Sequence, residues 1–278
     1  MTREEARARF TAEVEREEAR LELDRAALLI AAEEYPFLEV EAYIGRLDEI
    51  ATAARRHDRL EDEPQARILA LAEWLSSEMA FRGNAGNYYD VRNSFLHKVI
   101  DRRVGIPITL SVVHIEIARR LGLELRGVGM PGHFIVKCRD EAQEILLDPF
   151  NGGRRLTIED CREMIEQMYG GSMPFRAEFL ATVTKRQILT RMLQNLKSIY
   201  SNAKDYARTL AVIERVLLLN PDLTTEIRDR GLVNVGMGRY AQARHDLETY
   251  LRRNPGAVDA TQIQERLNQL KQKQARLN

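Results

Sequence analysis

The chain has 278 residues, enough for two domains with a substantial core, and its 42 Lys and Arg residues balance its 42 Asp and Glu residues. This balance argues against a protein that coats nucleic acid or binds a membrane by electrostatic attraction, so we expect neither partner. Two widely spaced cysteines make neither a disulfide framework nor a zinc site. We therefore expect a cytoplasmic protein without a metal or other cofactor, and the N-terminal segment lacks the apolar core of a signal peptide.

The first eighty residues are predicted to be helical. Thr2 and Glu5 have the spacing of a capping box, which favours a helix start at the N-terminus. Two apolar stripes follow at helical spacing, and Pro64 is suited to the start of the second. The first stripe contains Val40, Tyr43, Ile44, Leu47, Ile50 and Ala54, and the second contains Ile68, Leu71, Ala72, Leu75 and Met79.

A polar and aromatic segment, FRGNAGNYYDVRNSF, then interrupts the helical pattern with two glycines. It is either a hydrogen-bonded structural turn or one wall of a cleft. The first interpretation is open because Asp90 and Ser94 could each cap the helix that continues to Ile100. The cleft candidates in this segment are Tyr89, Arg92, Asn93 and Ser94.

The next helix is predicted to begin at a proline. Gly105-Ile106-Pro107 predicts a tight turn, because proline is suited to the first helical position. Apolar residues recur at helical spacing as far as Leu121, and Gly122 is placed to end the helix. The cleft candidates at this helix start are Pro107, Thr109 and Ser111.

Two strands carrying a histidine and an aspartate are predicted after this helix. HFIVKC alternates from His133 onward, and EILLDP leads to Asp148, with Arg139-Asp140-Glu141 as the turn between them. Adjacent antiparallel strands would bring the two side chains together. We predict that a His133 ring nitrogen hydrogen-bonds the Asp148 carboxylate, directly or through one water. The spacing alone also fits an ordinary strand-edge histidine and an aspartate that caps the turn beginning at Pro149.

A helix followed by a strand histidine and a strand aspartate is the layout of a papain-like or transglutaminase-like site. Its chemistry needs a cysteine at the helix start, where the helix N-terminus stabilises a thiolate, and an imidazole oriented by a third group. Pro107 occupies that position and offers neither a nucleophile nor an N–H. Thr109 and Ser111 lie nearby, but a hydroxyl lacks the intrinsic nucleophilicity of a thiolate. His133 and Asp148 are therefore candidate catalytic residues of a site without its nucleophile.

Neither cysteine is expected to replace that nucleophile. Cys138 lies five residues after His133 on the same predicted strand, so its side chain should point to the opposite face and into the core. Cys161 lies near the start of a helix that we expect Thr157 to cap, with Asp160 at its third position. Nothing in the sequence places Cys161 near His133.

The C-terminal third contains two repeats. Asn220-Pro221 and Asn254-Pro255 match and lie 34 residues apart, which is the tetratricopeptide period. Tyr206 and Tyr240 each lie fifteen residues before those prolines. Two repeats are too few to be stable alone, so we expect neighbouring helices to pack against them.

A binding groove follows from the same pattern. The segments 185–202 and 263–277 carry apolar stripes that fit neighbouring helices on the two sides of the repeats. We expect the concave face of the repeats to bind an extended peptide or a helix of another protein, with exposed polar positions such as Asn234 as contacts. In the alternative, the chain's own helices fill this groove.

The segment from Phe81 to Leu156, together with the repeats, resembles the bacterial SirB-one family, in which a transglutaminase-like domain precedes tetratricopeptide repeats. The resemblance implies an α+β fold that is mainly helical. A transglutaminase-like core with a small antiparallel sheet would occupy residues 1–182, and an all-α repeat region with a capping helix would occupy residues 183–278. It also implies that His133 and Asp148 match the second and third triad members, while Gly105-Ile106-Pro107 replaces the Gly-x-Cys turn.

Two classes of function follow. The first is a pseudoenzyme that binds a protein or peptide partner through the repeat groove. The second is a residual hydrolase or acyl-transfer enzyme that uses His133 and Asp148 with another nucleophile or an activated water. Pro107 favours the first class, and the retained pair keeps the second open. The sequence does not indicate an oligomeric state.

Overall fold

Residues 1–56, 63–139 and 144–277 are described by a computed structural model, in which helices and two small sheets form the first part of the chain. The chain divides into two units, Met1–Met192 and Leu193–Asn278. The predicted domain boundary between residues 182 and 183 stays a prediction. The mainly helical α+β class with an all-helical C-terminal region is confirmed.

The helices of the first unit begin largely where the sequence patterns place them. Thr2 and Glu5 form the predicted capping box, in which the Thr2 hydroxyl accepts from the Glu5 N–H and the Glu5 carboxylate accepts from the Thr2 N–H. Pro64 begins its helix as predicted. The helices are α1 (Arg3–Val14), α2 (Leu23–Ala32), α3 (Val40–Arg55), α4 (Pro64–Ser77), α5 (Leu96–Arg102), α6 (Pro107–Arg120) and α7 (Ile158–Tyr169).

Helices α2 and α6 are the most deeply buried, and each carries an acidic residue in the interior. Arg120 donates to Asp24 Oδ2 at 2.5 Å and to Glu116 Oε2 at 2.8 Å. Removing one member of such a buried pair leaves an uncompensated charge, which typically costs about 3–5 kcal/mol. The Arg120–Asp24 contact joins α6 to α2.

Two sheets complete the first unit. Two very short strands, β1 (Arg82–Gly83) and β2 (Val104–Gly105), pair in parallel. The second sheet is antiparallel, as predicted, in the order β3-β4-β5-β6. Its strands are β3 (Arg126–Val128), β4 (Ile135–Arg139), β5 (Glu144–Asp148) and β6 (Arg154–Leu156). One face of this sheet packs with α7 around an apolar cluster that includes Ile135, Leu146 and Cys161.

Two expectations about the strand region need comment. The strand predicted to begin at His133 begins instead at Ile135, because a turn from Met130 to His133 precedes it. The predicted turn Arg139-Asp140-Glu141 lies in part outside the described residues, whose gap here is 140–143.

Both cysteines are buried, which confirms the core position predicted for Cys138; no core position was predicted for Cys161. The predicted cap of α7 is confirmed, since the Thr157 hydroxyl accepts from the Asp160 N–H and the Asp160 carboxylate accepts from the Thr157 N–H. Burial raises the pKa of the Cys161 thiol to about 11, with a further contribution from nearby Asp160. A thiol with this pKa is almost fully protonated near neutral pH and is therefore a poor nucleophile.

The second unit is built from helices alone in its described part. Helix α8 (Lys185–Asn202) crosses the division between the units and is followed by α9 (Tyr206–Leu219), α10 (Thr224–Gly236), α11 (Tyr240–Arg253) and α12 (Ala260–Leu277). The apolar stripe of α12 packs on α11, where Ile263 and Leu267 join a cluster with Ala243 and Leu247. This confirms the helix predicted to flank the repeats on their C-terminal side.

The expected exposure of Asn234 is wrong, because only 4% of the residue is accessible. A side chain added at Gly231, one turn earlier on α10, would meet the Leu247 side chain of α11 at 2.8 Å. Residues three apart share a helix face, so Asn234 also faces α11 rather than a groove.

Across the described ranges, no helix combines the length and apolar character needed to cross a membrane. Within the same ranges, no group of three or more His, Cys, Asp and Glu side chains is arranged to hold a metal ion.

Candidate functional site

A tight turn sets the position of His133. The His133 N–H donates to the Met130 carbonyl at 3.3 Å, with Pro131 and Gly132 between them. Gly132 has φ +71°, so the proline and the glycine occupy the positions that a type II turn favours for them. Arg191 holds the turn from outside, because its guanidinium donates to the Met130 carbonyl at 3.1 Å and to the His133 carbonyl at 3.4 Å.

His133 and Asp148 form the predicted hydrogen bond. The distance between His133 Nε2 and Asp148 Oδ2 is 3.0 Å, which confirms a direct contact without an intervening water. The histidine side chain is 9% exposed and the aspartate side chain is fully buried. The residues are therefore paired at the end of the sheet, although His133 lies just before β4 and not on it.

Asp148 is held by more groups than His133 alone. Its Oδ1 accepts from the backbone N–H groups of Phe150 at 3.1 Å and Asn151 at 3.3 Å, and its Oδ2 accepts from Asn151 Nδ2 at 2.7 Å. Burial raises the pKa of the Asp148 carboxyl, but the bonds from His133 and Asn151 outweigh it, so the pKa lies below its usual range. The carboxylate is ionised near neutral pH and accepts the His133 Nε2 proton.

A cavity of about 500 Å³ opens beside this pair. Its volume is within the range of small-molecule sites in proteins. Among the described residues its walls combine polar groups with an aromatic ring and two thioethers. They are His133, Phe150, Asn151, Arg154, Met164, Gln167 and Met168.

Arg154 is a residue of this cavity that the sequence interpretation missed. It lies directly opposite Asp148 in the β5–β6 register, and cross-strand partners on one face have adjacent side chains. Its side chain is 54% exposed, and its nearest charged partner in the described chain is Asp160, at 4.0 Å. The sequence contained a signal for this position, because Asn151-Gly152-Gly153 is a turn sequence that brings the next strand, with Arg154, back alongside Asp148.

The start of α6 carries no nucleophile. Pro107 is buried and occupies the first turn of the helix. The nearby Thr109 hydroxyl accepts from the Ile106 N–H at 3.2 Å and donates to the Asn93 carbonyl at 2.8 Å, so it is committed to the turn. Ser111 is fully buried, and its hydroxyl has no hydrogen-bond partner among the described residues.

Comparison with known proteins identifies the group to which this site belongs. A UPF0162 protein of Xylella fastidiosa is 38% identical over 250 residues, which make up 87% of this chain and 88% of that protein. The family model described as the transglutaminase-like superfamily matches residues 41–194, more than half of the chain. The chain belongs to the UPF0162 group of this superfamily.

Further comparisons match the whole UPF0162 chain or one part of it. A UPF0162 protein of Pseudomonas aeruginosa is 30% identical over 250 residues, 89% of this chain and 90% of that protein. A tetratricopeptide repeat model matches residues 196–268, which confirms the predicted repeats. F-box only protein 21 of Homo sapiens is 34% identical over 149 residues, 50% of this chain but 23% of that protein. No solved structure gives a significant match.

In this UPF0162 chain the polar segment before α5 is bonded mainly within itself and to α5. Asn93 is fully buried and donates through Nδ2 to the Asn87 carbonyl at 2.8 Å, while its Oδ1 accepts from Arg102 at 3.3 Å. Asp90 accepts from the Arg92 N–H at 3.0 Å and pairs with its guanidinium at 2.8 Å. These bonds are those of a structural turn, and a cleft role for Arg92 and Asn93 stays a prediction.

The caps expected in this segment are only partly present. Asp90 caps the 3₁₀ turn Val91–Ser94, not the helix itself. The expectation that Ser94 caps the helix is wrong, because α5 has Phe95 at its N-cap and no side-chain cap bond. Instead the Ser94 hydroxyl is buried without a hydrogen-bond partner in the described chain.

An aromatic series connects this segment to the cavity. The Phe150 ring lies 6.0 Å from the His133 ring and 6.1 Å from the Tyr88 ring, both edge-on. Tyr88 contacts Tyr89 in the same way at 5.4 Å, and Tyr89 is 74% exposed. Tyr89 therefore stands at the outer end of a series of rings that leads to His133, although it does not line the cavity itself.

A second buried histidine of the UPF0162 core was also missed by the sequence interpretation. His114 lies on α6 and is 1% exposed. Its Nδ1 lies 2.8 Å from the Leu110 carbonyl oxygen, within hydrogen-bond distance. Burial lowers its pKa to about 4, and the Asp148 charge opposes this only in part. His114 is thus neutral near pH 7, and since a carbonyl can only accept, Nδ1 carries its proton.

Proposed function

We propose that this chain is a non-catalytic, cytoplasmic protein-binding module in which the tetratricopeptide region carries the binding surface. The observation that carries the proposal is the buried Pro107 at the start of α6, where this superfamily's layout needs a nucleophile. The two hydroxyls that follow Pro107 in the sequence of α6 do not replace it, because Thr109 is hydrogen-bonded to the turn and Ser111 is buried. Membership of the SirB-one family is part of this proposal.

The binding surface that we infer lies between α10 and α12. A cavity of about 560 Å³ there is lined by charged and amide side chains with two apolar residues among them. Arg228 and Asp259 pair across it at 2.7 Å, while Arg266 is exposed and no partner for it is described. Stacked helical repeats bind partners through such concave surfaces. A mixed lining of this kind suits a peptide or helix that carries both charges and apolar groups.

The proposal is tested by charge reversal at the cavity. Arg266→Glu changes its lining, and Arg244→Glu makes the same charge change at an exposed position of α11 outside that lining. Proteins retained by the full chain from a lysate of its own source would be identified, purified and titrated against each variant. We expect Arg266→Glu to weaken binding by at least about tenfold, since like charges across an interface are strongly unfavourable.

The controls are Arg244→Glu and His133→Ala, which should bind the partner like the wild type. Loss of binding in His133→Ala with normal binding in Arg266→Glu would move the binding surface to the first unit and contradict the proposal. Equal weakening by both charge reversals would show only a general electrostatic effect.

A residual hydrolase is the second candidate, and one observation favours it. Asp148 fixes His133 through Nε2, while Nδ1 makes no hydrogen bond in the described chain, as a general base for water would require. In that case the wild type should hydrolyse activated esters or peptide amides above background. The activity should disappear in His133→Ala and persist in a variant that carries both Cys138→Ser and Cys161→Ser.

A further inference from the structure

The cavity beside His133 contains a cation without a close counter-ion. Arg154 approaches Asp160 only to 4.0 Å, and the second oxygen of Asp160 is bonded to the Thr157 N–H at 2.7 Å and to its hydroxyl at 2.5 Å. The Asp148 carboxylate, opposite Arg154, is hydrogen-bonded to His133 and Asn151. A guanidinium free of close partners is suited to bidentate pairing with a carboxylate.

The same cavity contains an acceptor aimed at a different group. Asp148 occupies His133 Nε2, so Nδ1 is the ring nitrogen left to contact a ligand, and in the neutral form of the ring that nitrogen carries a lone pair. An N–H donor is the complement of such a lone pair. The site therefore calls for a carboxylate and an N–H on the same ligand.

The remaining walls are three apolar side chains and the amides of Asn151 and Gln167. Phe150, Met164 and Met168 line the cavity, and the Met168 side chain belongs to a residue that is 43% exposed. Methionine side chains adapt to differently shaped apolar groups and contact aromatic rings favourably. A ligand with an apolar side chain would cover this exposed surface.

We propose that this cavity binds an α-carboxylate whose residue also carries an amide N–H and an apolar side chain. The carboxylate pairs with Arg154, the N–H donates to His133 Nδ1, and the side chain packs on Phe150 and the methionines. The C-terminal residue of a peptide and a free N-acylated amino acid share this chemistry. The inference goes beyond the proposed function, because it concerns the first unit and uses none of the repeat surface.

The test uses the purified full chain and three probes. N-acetyl-L-phenylalanine has all three features, N-acetyl-L-phenylalaninamide lacks the carboxylate, and an acetylated tripeptide ending in phenylalanine represents a peptide terminus. Binding is followed by the NMR signals of the His133 imidazole, assigned with His133→Gln, at probe concentrations up to about 10 mM. We expect saturable shifts with both carboxylates and at least about tenfold weaker binding of the amide.

Adjacent arginines provide a matched pair of variants. Arg154→Gln removes the cavity cation, and Arg155→Gln makes the same charge change at the next residue of β6, whose side chain points to the other face. Arg154→Gln should weaken both carboxylate probes at least about tenfold and leave the amide unchanged, while Arg155→Gln should leave all three unchanged. Arg154→Lys, which keeps the charge without the bidentate geometry, should fall between them.

Each outcome bears on the proposal. Tripeptide binding as tight as that of N-acetyl-L-phenylalanine supports a peptide terminus as the natural source, and exclusion of the tripeptide supports a free acylated amino acid. Absence of saturable His133 shifts with both carboxylates overturns the proposal, as does equal weakening by Arg154→Gln and Arg155→Gln. If Arg154→Gln does not fold, the carboxylate-to-amide comparison on the wild type decides. Failure of Arg266→Glu to affect partner binding would leave this result untouched.

Discussion

Acid should destabilise the first unit through His97. This residue is 2% exposed, and neither of its ring nitrogens has a hydrogen-bond partner among the described residues. Its ring packs edge-on against Tyr35 at 4.6 Å and Tyr43 at 5.6 Å. Burial, helped by the Lys98 charge and opposed by Asp101, lowers the pKa of His97 from 6.5 to about 4.

The sign and size of the effect follow from proton binding. Between pH 6.5 and 4 the histidine binds a proton in the unfolded chain but not in the folded protein. The free energy of unfolding therefore falls as the pH falls through this window. With these two pKa values, the loss relative to alkaline pH is about 0.2 kcal/mol at pH 7 and about 2 kcal/mol at pH 5. His97→Phe keeps an aromatic ring in the cluster and removes the titration.

The assay is urea unfolding at pH 7.5 and pH 5, followed by the fluorescence of Trp74. This is the single tryptophan of the chain, and it is 6% exposed on α4 of the first unit. Between the two pH values we expect the wild type to lose about 2 kcal/mol more stability than His97→Phe. Other titrating groups, such as buried Glu116, are common to both proteins and cancel in this difference. His245→Phe, at an exposed position, should behave like the wild type.

A wild-type-minus-variant difference that stays constant within about 0.5 kcal/mol between the two pH values would refute the reasoning. It would mean that folded His97 accepts a proton as easily as the unfolded chain does. Water would then have to reach the ring through the tyrosine cluster.

Three further predictions concern the site and its supports. Asp148→Asn should lower the free energy of unfolding by roughly 2 kcal/mol near neutral pH, because charge-assisted bonds to its turn are lost. The pKa of Asp148 in the folded protein lies below 3.8, so this difference from the wild type should shrink as the pH falls below 3.8. Gly153→Ala should destabilise the protein more than Gly122→Ala. The two glycines have nearly equal φ angles, +71° and +72°, but only a Cβ at Gly153 would meet a backbone atom, at 2.8 Å. Equal losses of stability in urea unfolding would contradict this. In Pro107→Cys, iodoacetamide should alkylate the new helix-start thiol faster than Cys161, and a rate unchanged by His133→Ala would show that the histidine does not reach it.

Much of the fold could be predicted because its signals are local. The caps of α1 and α7, the proline starts of α4 and α6 and the repeat period are each written in a few adjacent or regularly spaced residues. The alternation indicated the pairing of β4 with β5, and the turn just before β4 sets His133 beside Asp148, where it makes the predicted bond.

The missed features depend on information that periodicity does not hold. Strands β1 and β2 are two residues long, too short for any alternation to show. Arg154 becomes a site residue only through the register that sets it opposite Asp148. Asn234 looked exposed because it is polar, whereas its position on the α11-facing side of α10 buries it.

The position of Asp148 has a consequence for how genomes are searched for active members of this superfamily. Its carboxylate terminates β5 and shapes the Pro149–Asn151 turn, so a chain that abandoned chemistry would still lose stability by replacing it. An aspartate here therefore reports on folding as much as on reactivity. If position 107 is where this superfamily places its nucleophile, as we propose, then that position is the more informative marker of whether a relative is an enzyme.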